Sequence, residues 1–403
     1  MSDLQHDLET GRGRNLALAT VAFAISFWAW NIIGPLGVRY AEDLDLTAGE
    51  KSLLVATPVL VGSLGRILAG ALTDRLGGRV MFPVLMLVSA PFVLLVAFAG
   101  DRGSYPLLLV FGFFLGIAGT TFAVGIPFVN AWFEKPRRGF ATGVFGAGMG
   151  GTALSSFFTP RMIEWFGYGW THVLVAAALV AVAALSWVMM RDSPAWSPNT
   201  DPVVPKLVGA MKLPITWQMS FLYAVAFGGF VAFSTYLPTY LKDVYDFDLA
   251  GAGTRTAGFA LAAVAARPLG GVLSDRVGPR VVTGVALIGT VVMAGVVALQ
   301  PVPEVPAGAS FILLAVFLGL GTGAVFAWVA LLAPPERVGS VSGIVGAAGG
   351  LGGFFPPLVM GATYNEADHS YTVGLVLLMA VALVAFAFSQ WGIRQRVSRS
   401  PGR

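Results

Sequence analysis

The chain is 403 residues long, 56% hydrophobic and 11% charged, with a formal charge of +4 and a mean hydropathy of +0.77. Soluble domains carry about 25% charged residues, so this composition excludes a soluble fold and leaves an all-α integral membrane protein whose solvent is the lipid bilayer. The absence of cysteine excludes a disulfide framework and a thiolate metal site. Nothing in the chain calls for a metal, another cofactor or nucleic acid.

A polar stretch with Arg12 and Arg14 comes first, an N-terminal tail over 1–14. The apolar run that follows is too long for a signal-peptide core and lacks a small-residue cleavage site; it reads as a retained first span. About 20 apolar residues cross a hydrocarbon core of about 30 Å. Such runs fall near 15–38, 52–72, 81–99, 106–128, 139–160 and 170–190. A polar segment over 191–216 holds five prolines between Ser193 and Ile215 and reads as a linker. Six more runs follow near 217–241, 251–273, 281–300, 308–332, 338–362 and 370–390, then a basic tail over 391–403. The expectation is twelve spans, in halves covering 15–190 and 217–390.

The basic residues orient these spans. With both termini inside, inner segments hold 17 of the 25 lysines and arginines, including the tail residues Arg394, Arg396, Arg399 and Arg403, and outer loops hold 6. The positive-inside rule then places the termini and the linker in the cytoplasm of a plasma-membrane protein. Only Arg66 and Arg267 remain, each inside an apolar run. All 21 acidic residues fall in loops or at span ends by this assignment.

Arg66 and Arg267 occupy matching places in an internal repeat. GSLGRILAGALTDRLGGRV recurs 201 residues later as AAVAARPLGGVLSDRVGPRV, carrying Asp74 onto Asp275, Gly77 onto Gly278 and Arg79 onto Arg280. An offset of 200 carries GFATGVFGAGMGGTALSSFF onto GSVSGIVGAAGGLGGFFPP, with Gly146 on Gly346 and Gly150 on Gly350. FLGIAG at Phe114 pairs with FLGLGTG at Phe317. Asp74 marks the inner end of the second span. Arg66 lies eight residues earlier, about 12 Å deeper at the helical rise per residue, and so near the midplane. An arginine there costs on the order of 3 kcal/mol on insertion scales and ordinarily pairs with an acid. No acid lies within a span, so two planar, permanently charged forks are left to face a small anion. Tyr223 and Phe227 are four apart on one face of the seventh span, and Phe122 lies in the fourth; aromatic planes suit a flat anion, although ordinary helix packing is the better explanation of any one of them taken alone.

Parallel six-helix repeats around a midplane site describe the major facilitator architecture, with the two halves related by pseudo-two-fold symmetry. The paired arginines in GRILAGALTDRLG and RPLGGVLSDRVG, together with the paired Gly-rich runs, resemble the nitrate/nitrite porter family (NarK/NasA type) of that superfamily. The resemblance covers essentially all twelve spans. It implies that Arg66 and Arg267 clamp nitrate or nitrite, that Phe122, Tyr223 and Phe227 line the site, and that Gly146, Gly150, Gly346 and Gly350 belong to the family's nitrate-signature stretches. It also implies a monomer. Some members carry an anion-binding asparagine in the first Gly-rich run; GAGMGGT here has none. Asp74, Arg75 and Arg79, with Asp275, Arg276 and Arg280, are expected to form inner latches between helices, closed when the cavity faces outward, with Arg137, Arg138 and Arg337 as candidate partners; a plain topogenic role accounts for these basic residues at least as well. No acid or histidine lies at mid-span, which favours nitrate/nitrite exchange over proton-coupled nitrate symport. Another small-anion or organophosphate antiporter and a non-transporting nitrate sensor are the remaining alternatives. An enzyme is excluded by the lack of a buried acid–base pair, nucleophile–histidine arrangement or metal cluster.

Overall fold

The computed structural model describes residues 3–134, 137–199, 202–334 and 337–393. The tail arginines named above lie outside this range. Among the described residues, eleven helices are long and apolar enough to cross a bilayer: Gly11–Leu44, Ala48–Leu76, Gly78–Asp101, Tyr105–Trp132, Tyr168–Met189, Pro214–Tyr245, Leu249–Val277, Pro279–Ala298, Val305–Leu332, Val338–Ala362 and Thr372–Gly392. The twelfth expected span, fifth in chain order, is broken into Arg138–Gly146, a 3-10 turn over Ala147–Gly150, and Gly151–Phe166. Its glycines lower both its hydropathy and its helix propensity.

The first helix extends beyond the apolar run that starts near 15: it covers Asp3–Trp30, breaks at Asn31–Ile32 and resumes over Ile33–Leu44. The linker contains helix of its own. Val203–Met211 forms a short helix that buries Ala210, and its Gly209 carbonyl accepts a 3.0 Å hydrogen bond from Arg337 at the start of span eleven.

The repeat legible in the chain is also visible in the helix ends. Spans one and seven both terminate on a left-handed aspartate, Asp45 (φ 50°) and Asp246 (φ 54°). Spans two and eight begin at Thr47, which forms a capping box with Glu50, and at Asp248. Gly77 (φ 81°) and Gly278 (φ 91°) turn the chain between spans two and three and between eight and nine, a conformation that L side chains rarely adopt. A Cβ at Gly77 would also lie 2.4 Å from the Asp192 carboxylate. That carboxylate accepts the Arg79 backbone N–H at 3.1 Å, capping the start of span three. Burial pushes the Asp192 carboxyl above its ordinary value, against the lowering effect of the Arg79 and Gly78 backbone N–H groups.

The halves meet tightly on the outer side. Lys51 of span two lies 2.7 and 2.9 Å from the carboxylate oxygens of Asp243 on span seven, with side chains only 10% and 13% exposed. Tyr371 also donates to Asp243, and the Tyr236 hydroxyl bridges Ser52 at 2.8 Å and Tyr371 at 3.2 Å. Backbones approach closely around this cluster: a Cβ at Gly361 would lie 2.1 Å from Ser52, and one at Gly253 would lie 2.2 Å from the Ser156 carbonyl.

The inner side differs. A Cβ at Gly143, Gly146, Gly150, Gly339 or Gly343 meets nothing within 4 Å. Arg75, Arg79, Asp275 and Arg276 are exposed. Arg138 donates to the Phe133 carbonyl, and Arg280 donates to the carbonyls of Ser389, Gln390 and Ile393. Among the described residues, none of Arg75, Arg79, Asp275, Arg276 and Arg280 forms an ion pair. The helix ends that carry Lys51 and Asp243 are therefore joined, while those that carry Arg75 and Arg276 show no ion pair among the described residues.

Removing one partner of a buried pair strands the other charge. Lys51→Ala is expected to lower stability by about 3 kcal/mol, read as a fall in melting temperature of the detergent-solubilised protein. The exchanged pair Lys51→Asp with Asp243→Lys should recover most of that loss; if it recovers none, the ion pair is not what joins these helices.

Candidate functional site

The site lies where spans two, four, seven, eight and eleven converge. Arg66 sits on span two and is 3% exposed. Its Nη1 donates to the Gly346 carbonyl of span eleven at 3.0 Å, and its Nε has no protein partner. Arg267, on span eight, is half-buried. Its Nη1 adjoins the Met149 sulfur, and its Nη2 lies 3.4 Å from the Tyr223 hydroxyl. Among the described residues neither guanidinium has a carboxylate partner.

Phe122 stands between the two charges. Its ring centroid is 4.9 Å from the Arg66 guanidinium carbon and 5.6 Å from that of Arg267. Phe227 also faces Arg66, at 5.4 Å. The Tyr223 and Phe227 rings are parallel within 4° at 5.0 Å, as their four-residue spacing allows. Phe227 is stacked on Phe122 at 6.3 Å. A cation over an aromatic face gains about 2 kcal/mol when desolvated. That offsets part of the burial cost without neutralising the charge, so both forks keep donors for an anion.

The sequence-derived residues separate into three groups. Arg66, Arg267, Phe122, Tyr223 and Phe227 come together. Gly346 supplies a carbonyl to Arg66, and a Cβ on Gly350 would lie 2.4 Å from Ser63 and 3.2 Å from Arg66 Nη1, so the second glycine run borders the site. Gly146 and Gly150 of the first run face open space instead, and the inner-loop aspartates and arginines stand apart at the inner ends. Among the described residues, Arg75, Arg79, Asp275, Arg276 and Arg280 form no ion pair with one another.

Three contributors escaped the sequence reading. Phe326 lies 5.9 Å from the Arg267 guanidinium carbon and edge-on to Tyr223 at 4.7 Å; the repeat of FLGIAG and FLGLGTG carries it to within one residue of the position equivalent to Phe122, a usable signal. Gly349 passes so close to Tyr223 that a Cβ would lie 2.1 Å from the ring. Met149 reads as filler in a glycine run, and only the structure brings its sulfur to Arg267.

A model of the Major Facilitator Superfamily matches residues 19–357 and 250–402. The "Probable nitrate/nitrite transporter NarK2" of Mycobacterium tuberculosis is 60% identical over 98% of this chain and 100% of its own length. The "Probable nitrate/nitrite antiporter NarK1" of Thermus thermophilus is 36% identical, covering 86% of this chain and 84% of its own. Among solved structures, a bacterial homolog of the human lysosomal transporter Spinster superposes with a TM-score of 0.70 at 19% identity, over 94% of this chain and 96% of its own. At that identity the likeness concerns the fold.

The two glycine runs should respond differently to a single methyl group. Gly349→Ala displaces Tyr223 and is expected to weaken binding of a small oxyanion by at least about 10-fold, the scale of one lost charge-assisted hydrogen bond. Gly146→Ala, whose Cβ meets open space, should leave binding unchanged. Calorimetric titration of the purified variants with nitrate reads both; equal effects would refute the asymmetry.

Proposed function

The chain belongs to the major facilitator superfamily, within its family of nitrate/nitrite transporters, and from that membership we propose that it carries nitrate and nitrite across the cell membrane by alternating access, with the anion clamped between Arg66 and Arg267. The observation that carries the proposal is a pair of intramembrane guanidiniums, one from each half, facing a shared aromatic ring without an acidic partner. Each fork matches a planar oxyanion bidentately, and Phe122 and Phe227 supply flat apolar walls. Both arginines come from one chain, so a single copy holds a complete site, which supports a monomeric functional unit.

Residues 15–190 and 217–390 rock as two units about this site, with both termini in the cytoplasm. Reaching the outer side requires parting Lys51 from Asp243 and Tyr236 from Ser52. Closing the inner side brings the open faces of Gly143, Gly146 and Gly150, and of Gly339 and Gly343, against the opposite half. Asp74, Arg75, Arg79, Asp275, Arg276 and Arg280 form the inner latches in that state.

Exchange is the favoured mode. Carrying one negative charge inward against 100 mV costs about 2.3 kcal/mol, whereas nitrate in for nitrite out moves no net charge. Proton coupling calls for an intramembrane group that changes charge during the cycle. The buried His172 is held at its Nδ1 by the Tyr168 carbonyl at 2.9 Å within the first half, and Asp243 is held by Lys51 on the outer side; neither reaches the arginines. The name of the Thermus thermophilus relative, an antiporter, agrees with this reading.

In proteoliposomes, nitrate uptake is expected to require internal nitrite and to ignore a proton uncoupler. Uptake into empty vesicles driven by a pH gradient would replace exchange with symport. Arg66→Lys and Arg267→Lys keep the charge and lose the fork, and each should cut uptake at least about 10-fold. Normal transport by both variants would end the clamp hypothesis.

A further inference from the structure

The two arginines are related by the repeat, yet their surroundings are not. Arg66 is nearly fully buried and holds a strong acceptor, the Gly346 carbonyl at 3.0 Å. Arg267 holds a thioether at Nη1 and a distant hydroxyl at Nη2. A thioether is a weak acceptor beside a carbonyl, so the Arg267 fork is left the less satisfied of the two.

The cause is one residue. The offset of 200 that joins the glycine runs carries Met149 onto Gly349. In the second half, the missing side chain at Gly349 makes room for the Tyr223 ring. In the first half, a methionine only 2% exposed crosses to the opposite half and ends on Arg267. Its neighbours Gly148 and Gly151 pack against span one, where a Cβ would lie 2.5 Å from Phe23 and 2.0 Å from the Ala24 carbonyl respectively. The backbone that carries Met149 is thereby held in place, and the side chain is the part free to move. Methionine is unbranched with three rotatable bonds and a polarisable sulfur, suited to leaving and refilling a position.

We propose that Met149 is a specificity-determining residue of the anion site. This rests on the reading that the arginines bind the anion. In the empty site its sulfur holds the Nη1 position of Arg267; an oxygen of the incoming planar oxyanion displaces it, and the withdrawn side chain forms the wall that limits anion size. Binding of nitrate or nitrite therefore competes with a weak intramolecular contact, which leaves Arg267 the fork that captures and releases the anion while Arg66 stays anchored on Gly346.

The test is calorimetric titration of the purified, intact protein with nitrate, nitrite and the larger anion perchlorate. Met149→Leu keeps the volume and removes the acceptor; nitrate binding should tighten about 3-fold, the size of one weak hydrogen bond. Met149→Ala removes the wall; the preference for nitrate over perchlorate should fall about 10-fold, as expected when apolar volume is deleted from a discriminating pocket. Melting temperatures report that each variant is folded, and the conservative leucine variant keeps the test available if the alanine variant is unstable. Arg267→Lys serves as the control for the underlying reading. If it loses nitrate binding while both Met149 variants keep wild-type affinity and selectivity, the role of Met149 is refuted and the clamp stands. If it retains nitrate binding, the clamp fails and the inference about Met149 falls with it.

Discussion

Two guanidiniums share one aromatic ring inside a bilayer, and the rest of the molecule accommodates that arrangement. Neither charge meets an acid, so each must be tolerated through weaker means: a glycine carbonyl for Arg66, a sulfur and a phenol for Arg267, and the faces of Phe122 and Phe227. These contacts lower the cost of burial while leaving donors unspent. An ion pair would have silenced both. The site is stable enough to exist and unsatisfied enough to bind.

The glycine runs follow from the same constraint. A guanidinium can reach a helix backbone only where side chains are absent, and Gly346, Gly349 and Gly350 clear that approach for Arg66 and Tyr223. The first run has the same spacing and a different use. Gly148 and Gly151 fit against span one, Gly146 and Gly150 face open space, and Met149 projects where its counterpart has no side chain. A symmetric repeat thus yields an asymmetric site, with one anchored fork and one held loosely.

Closure of the two sides also rests on different physics. Outside, a buried ion pair and a chain of hydroxyls through Tyr236, Ser52 and Tyr371 join the halves with directional, desolvated contacts. Inside, exposed arginines and aspartates are solvated or spent on carbonyls of their own half, as Arg280 is on the end of span twelve.

Much of this was legible in the chain. Hydropathy and length located the spans, and the 200- and 201-residue offsets revealed the repeat, because each is a local or periodic property of the sequence. The missing acids pointed to an anion, and the family resemblance named it. What needed the tertiary structure was everything set by which faces meet. The break within span five, the helix inside the linker, the pairing of Lys51 with Asp243 across 192 residues, and the different roles of the two glycine runs depend on contacts between helices distant in sequence. Met149 is the sharpest case. In the chain it interrupts a glycine pattern, and only the packing of span five against span eight turns that interruption into a contact with Arg267.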